Sequence, residues 1–226
     1  MKKLLFWMVL IVGIVALIGS CAKKDEDTAA TAAADNTTST DNTTSTTKYI
    51  STTTTASGSI TMGDDTLSGV YASECLTSAS TIAFFKGTGF WASEVNAYGQ
   101  VFVVTGSDNI SIELYAFTDT SCSNLSQCQK TVSDNVTFGS ASGSNYPVTY
   151  NNQTQALTVH TTAAETALET LYSNALDFIV GTPIELPVSG SGLKYGLWTL
   201  SGTTWYEASS SSATPTSAGT VPHVKQ

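Results

Sequence analysis

The segment Ile110–Phe117 alternates strictly. Ile110, Ile112, Leu114 and Ala116 fall on one face, and Ser111, Glu113, Tyr115 and Phe117 on the other. Successive side chains of a strand point to opposite faces, so period two with one greasy face predicts a half-buried β-strand. Such a strand needs neighbours on both edges, and the flanking sequence supplies them. Val70–Cys75, Thr81–Phe85, Phe90–Val95 and Val101–Thr105 are short runs rich in Val, Phe, Tyr and Trp. They are punctuated at Lys86–Gly89, Tyr98-Gly99 and Gly106–Asn109, the hairpin pattern of a meander. Thr131–Phe138, Pro147–Tyr150, Ala156–Thr161, Ile184–Val188, Leu193–Leu200 and Thr203–Glu207 read as further strands, with Asn151-Asn152 as a hairpin turn.

One segment departs from that period. Ala163, Ala167, Leu168, Leu171, Tyr172 and Leu176 are spaced for one face of a helix over Thr162–Leu176, and Thr162 with Glu165 matches a capping box. The expected fold class is mainly β: an antiparallel up-and-down barrel or lipocalin-like meander with one late α-helix. Closing the sheet removes its edges, which suits an exposed protein. A membrane-spanning barrel is disfavoured, because the strands are short and a tether precedes them.

The N-terminus sets the expected compartment. Lys2 and Lys3 precede the apolar run Leu4–Gly19, which ends at Ser20-Cys21. A helix crossing a bilayer core of about 30 Å needs about 20 apolar residues, so this run is short for a span and has the layout of a secretory signal. Leu17-Ile18-Gly19-Ser20-Cys21 resembles a bacterial lipobox. That resemblance implies cleavage before Cys21 and its lipidation, with a membrane attachment through two or more acyl chains. Residues 22–60 are almost entirely Thr, Ala, Ser, Asn and Asp, with the near-duplicates Asp35–Thr40 and Asp41–Thr46. They cannot bury enough surface to offset ordering and read as a disordered tether with a typical reach of about 35 Å. The expected division is therefore a signal peptide at 1–20, lipidated Cys21 and tether at 21–60, a β-barrel domain at 61–208 and a loose tail at 209–226. Ala22-Lys23 after the cysteine implies the outer membrane, at its periplasmic face or the cell surface.

The chain carries 18 Asp plus Glu against 9 basic residues, all lysine, for a net charge of −9. Arginine is the preferred fork for phosphates and base edges, so an acidic chain without it excludes nucleic acid and disfavours phosphoryl transfer. Besides Cys21 there are Cys75, Cys122 and Cys128. Export makes a disulfide plausible, and three thiols allow three different single bonds. Cys122–Cys128 is closest in sequence, whereas Cys75–Cys122 would constrain more chain.

Gly69-Val70-Tyr71 with Cys75, the run Tyr115–Cys122, a late helix, and the pairs Leu197-Trp198 and Trp205-Tyr206 resemble a group of small bacterial lipoproteins with a lipocalin-like barrel domain. The resemblance covers roughly residues 68–217. It departs from the group's Tyr-x-Asp-x-x-Cys-like motif in placing Phe117 between Tyr115 and Asp119. It implies a barrel stapled by Cys75–Cys122 and no enzymatic role.

Catalytic patterns are sparse. Gly139–Gly143 has the glycines of a nucleophile elbow but Ala141 at the nucleophile position. His160 with Glu165 and Glu169 could form a metal or acid–base cluster, yet reads more simply as a strand-end histidine beside a solvated helix face. Asp64-Asp65 reads as a solvated turn, and Glu74, Glu94 and Glu113 as strand acids of which one could point inward. No cofactor or metal is expected. The ligand-lining candidates are Phe85, Trp91, Tyr115 and Trp198, since an eight-stranded barrel is either filled by side chains or holds one small ligand. These features point to an anchored protein outside the cytoplasm with a structural, adhesive or partner-binding role toward an envelope or host protein. The alternative is a carrier of a small apolar ligand, and a hydrolase with an unrecognised site is remote.

Overall fold

The computed structural model describes residues 49–188 and 192–226. The signal segment, Cys21 and most of the tether lie outside them. Among the described residues the strands are β1 (Ile60–Met62), β2 (Asp65–Leu67), β3 (Val70–Ala72), β4 (Ala97–Val104), β5 (Ile110–Phe117), β6 (Leu125–Phe138), β7 (Asn145–Val159), β8 (Pro183–Leu186), β9 (Leu193–Ser201), β10 (Thr204–Ser210) and β11 (Pro222–Lys225). Helix α1 (Ala79–Gly87) joins β3 to β4, and α2 (Thr162–Leu171) follows β7.

Eight strands close into an antiparallel barrel. The ring runs β3, β4, β5, β6, β7, β9, β10, β11 and back to β3, so each strand pairs with the next in the chain, and β8 is an addition on β7. This is the up-and-down barrel with a late helix that the alternation predicts. Closure falls to the last residues. Val224 pairs with Ala72 and Lys225 with Tyr71, while His223 pairs with Trp205 on the other side. The segment expected to be a loose tail therefore ends in the strand that seals the sheet. Its four residues are too few to register as a strand locally, and the pairing is non-local.

Four other local readings change. Thr81–Phe85, rich in β-formers, lies in helix α1, where Ile82 and Phe85 turn toward the core and Phe84 stays 48 % exposed. It has no strand partner between β3 and β4, and tertiary context overrides its propensity. Phe90–Val95 is not a strand but a turn-rich plug, with Phe90, Trp91, Ala92 and Val95 all buried. Asn151-Asn152 do not turn the chain. They sit at a bulge in the continuous strand β7, where Val132 pairs with Thr154 but Ser133 with Asn152. The cap of α2 is Thr161, one residue earlier than expected, with its Oγ1 accepting from Ala164 N at 3.1 Å and donating to Glu94.

Strand β5 is buried on both faces rather than one. The cover on the outside comes from residues 49–58, the end of the expected tether, which run as an extended strap. Ile50 N donates to Ser73 O, and Ser57 N to Val104 O. Thr52 and Thr54 donate their hydroxyls to the two oxygens of Glu113, both at 2.5 Å, and Tyr115 adds its own at 2.5 Å. Cys75 and Cys122 form a disulfide spanning 47 residues of sequence, which excludes a Cys122–Cys128 bond. Cys128 is buried beside Tyr115, and among the described residues no cysteine is free.

Directly paired residues share a face, so the registers define the barrel interior. From Ile112 the inward face passes to Phe102, Tyr71, Thr131 and their partners. The apolar interior fills one end. Phe102, Ile110, Ile112, Val148, Tyr150, Trp198 and Trp205 pack there against Ile60, Met62 and Leu67 of the β1–β2 hairpin. At the other end the Phe90–Val95 plug closes over the barrel, with Phe90 O accepting from Gln127 Nε2 at 3.0 Å.

Candidate functional site

Between those two ends the inward face turns polar. Strand β6 sends Gln127, Gln129, Thr131 and Ser133 into the barrel, all essentially buried. The signal was legible as alternation, but it alternates polar residues inward, the reverse of the usual pattern. Asn152 and Gln155 of β7 face them. Gln100 of β4, His223 of β11, Lys194 of β9 and Glu207 and Ser209 of β10 complete the belt.

Parts of this belt are satisfied internally. Ser133 Oγ lies 2.9 Å from Asn152 Oδ1. His223 places Nε2 3.1 Å from Gln100 Oε1 and Nδ1 3.3 Å from the Trp205 carbonyl. A neutral ring meets both when Nδ1 carries the proton and the Gln100 amide turns its NH2 toward Nε2. Burial holds the His223 pKa down at about 4, so the ring is neutral over the physiological range.

The rest is not satisfied. Among the described residues, buried polar atoms without a hydrogen-bond partner include both amide atoms of Gln129, Thr131 Oγ1, Tyr150 OH, Trp198 Nε1, Trp205 Nε1 and Glu207 Oε1. All belong to inward-facing residues. Native interiors leave few buried polar groups unpaired, and each costs about 1–3 kcal/mol. Gln129 and Thr131 belong to the polar stretch of β6, and Tyr150, Trp198 and Trp205 to the packed end with Glu207 beside them.

These groups come from four strands, β6, β7, β9 and β10. Glu207 and Trp198 are direct cross-strand partners. The Trp198 ring lies 4.6 Å from that of Trp205 and 5.7 Å from that of Tyr150. Burial, and then the neighbouring Glu207 charge, push the Tyr150 phenol well above its ordinary value. Burial also raises the Glu207 carboxyl to about 7, opposed in part by the Ser209 hydroxyl. Glu207 as a residue is only partly covered, although Oε1 is sealed. Gly196 matters here. A Cβ on it would stand 3.0 Å from Trp198 Nε1 and 2.6 Å from Val148 Cγ1, so glycine makes room for the indole edge.

Of the four lining candidates, only Trp198 belongs to this site. Phe85 and Trp91 stack on each other at 4.3 Å around the plug, and Tyr115 is on the outer face under the strap. Of the strand acids, Glu113 points outward, and Glu94 lies in the plug, where its Oε1 accepts from Ser126 and Thr161. The inward acid is Glu207, whose position on Trp205's face follows from their two-residue spacing. His160 donates its backbone N–H to Ser126 O, and burial lowers its pKa. Among the described residues no group of three or more His, Cys, Asp or Glu could hold a metal ion, and no helix is long and apolar enough to cross a membrane. No protein-family model matches this chain, and no curated protein matches it.

Proposed function

We propose that this chain is a lipid-anchored bacterial protein of the outer membrane whose barrel binds a small polar molecule in its interior. The anchoring half rests on the lipobox-like segment ending at Cys21 and the polar tract after it. The binding half rests on one observation: the inward-facing Trp198 Nε1, Trp205 Nε1, Gln129 and Thr131 Oγ1 are buried without a hydrogen-bond partner, and Tyr150 and Glu207 beside them share the single Ser209 hydroxyl. A belt of that kind opposes the apolar cargo that the sequence offered as an alternative, because an apolar occupant would leave every one of these groups unpaired. The disulfide and the β1–β2 hairpin support the same reading by holding the walls in place before a ligand arrives.

Native mass spectrometry of protein purified from its own cells tests this. Extra mass that leaves on denaturation, and that is absent from a Trp198→Phe, Trp205→Phe double variant, is the expected result. Protein of bare mass, with a high-resolution structure showing ordered water on both indole nitrogens, would overturn it. Attachment is read separately: intact mass of the membrane form should lack residues 1–20 and carry acyl chains on Cys21.

A further inference from the structure

Among the described residues the large apolar side chains that stand well exposed are Phe84, Ile179 and Val180, and all belong to one end of the barrel. Strand β4 begins at Ala97, β5 ends at Phe117, β6 begins at Leu125 and β7 ends at Val159, so these termini mark the plug end of the antiparallel ring. Helix α1 leads into the plug there. A Cβ on Gly89, just after it, would lie 3.8 Å from Leu171 Cδ1, so the end of α1 meets the end of α2. The turn Ile179–Thr182 is tied to the same end, because Gly181 N donates to Val159 O.

Both segments lack the residues that usually face water. A surface helix turns charged or polar side chains outward. The exposed residues of α1 are Ala79, Ser80, Ala83, Phe84 and Gly87, and none is charged. The turn closes with Thr182 N donating to Ile179 O at 2.9 Å and presents Ile179 at 55 % and Val180 at 44 % exposure. Such positions ordinarily carry Asn, Asp, Ser, Gly or Pro.

The same end receives the N-terminal chain. The strap enters at Tyr49, which bridges Glu74, and Ile50 N donates to Ser73 O. It then runs away from the plug and reaches Val104 at Ser57. The chain before Tyr49 therefore joins the barrel at the plug end. Residues 22–48, a tether by composition, separate that point from Cys21. A tether of that length reaches about 30 Å and holds the plug end beside its anchor at an effective concentration of about a millimolar, where weak apolar contacts suffice. Charge selects the headgroup. Glu165, Glu169 and Asp177 stand at this end against Lys86, so an anionic surface is repelled. Resting on the anchoring half of the reading above, we infer that the plug end docks on the bilayer that holds the Cys21 lipid, laying Phe84, Ile179 and Val180 among lipid headgroups of no net charge. The β1–β2 hairpin end then points away from the membrane.

Hydroxyl-radical footprinting reads this directly, comparing the full acylated chain in phosphatidylcholine vesicles with the Cys21→Ser chain in buffer. Oxidation of Phe84, Ile179 and Val180 should fall about threefold or more in the vesicles, as for side chains settled into an interface. Tyr146, near the opposite end of β7, should keep its rate. Replacing about a third of the lipid by phosphatidylglycerol should weaken the protection. Unchanged oxidation at Phe84 or at the Ile179-Val180 turn, in protein whose intact mass includes the acyl chains, overturns the docking and leaves the anchor standing. Protection of Tyr146 instead puts the other end on the membrane and also overturns it. Equal or stronger protection with phosphatidylglycerol overturns the choice of neutral headgroups. An intact mass with residues 1–20 attached and no acyl chain removes the anchoring reading, and this inference with it.

Discussion

Glu113 and Glu207 both hold carboxylate oxygens away from solvent, and the fold treats them in opposite ways. Glu113, on the outer face of β5, has its oxygens met by hydroxyls from Thr52, Thr54 and Tyr115, with Ser111 at 3.4 Å. Glu207, on the inner face of β10, keeps Oε1 without a partner. Neither acid has an arginine to neutralise it. Removing a carboxylate from water costs several kcal/mol unless its lone pairs are occupied. The chain occupies those of Glu113 with its own strap, and gives Glu207 the Ser209 hydroxyl while leaving Oε1 unpaired. One acid is architecture that fastens residues 49–58 to the barrel. The other is an inward carboxylate with one oxygen left unpaired.

The comparison can be broken at several points. The yardstick is the Cys75–Cys122 bond, which holds the barrel without regard to either face. Replacing both cysteines by serine frees a loop of 47 residues and should cost about 4 kcal/mol in a guanidinium titration. Next comes Glu113→Ala, which strands the hydroxyls beneath the strap. We expect a loss of about 3 kcal/mol, with amide exchange accelerating at Thr52–Ser57 before the rest of the sheet. Glu207→Leu should do the reverse, leaving stability unchanged within about 1 kcal/mol or raising it. Equal losses from both acids would mean that Glu207 is also a structural group.

The pH dependence separates them again. The Glu207 carboxyl, raised from 4.5 to about 7, ionises in the unfolded chain before it does in the fold. Its contribution is full below about 4.5 and is lost as pH rises through about 7. His223, lowered from 6.5 to about 4, has the opposite effect. The unfolded chain takes the proton first, so stability is lost as pH falls from 6.5 through about 4. The two slopes oppose each other between about 4.5 and 6.5, where the native protein should be nearly flat. Glu207→Gln should unmask the His223 slope, a loss of about 3 kcal/mol between pH 6.5 and 4. A flat profile in that variant would show that the two groups do not shift as the burial argument requires. Gly219→Ala must push the 211–221 loop off β10. It should cost about 1–3 kcal/mol in a guanidinium titration as an overpacked contact.

Much of this molecule is written locally. Period two over Ile110–Phe117 determined a strand to the residue, and the spacing of Ala167, Leu168 and Leu171 determined the late helix near its true start. Strands and helices of this kind follow from which side chains a short stretch sends to one face. What the local pattern left undecided were relations between distant segments. Burial of β5 on its second face depends on a strap some 60 residues earlier, whose threonines look like tether until Glu113 receives them. Closure depends on Val224 meeting Ala72 across nearly the whole domain. The belt itself depends on β6, β7, β9 and β10 facing one another, so that Gln129, Tyr150, Trp198 and Glu207 share an interior no window of sequence contains. Alternation determines that a residue has a face. Only a closed ring of strands decides whether that face looks at water or at the far wall.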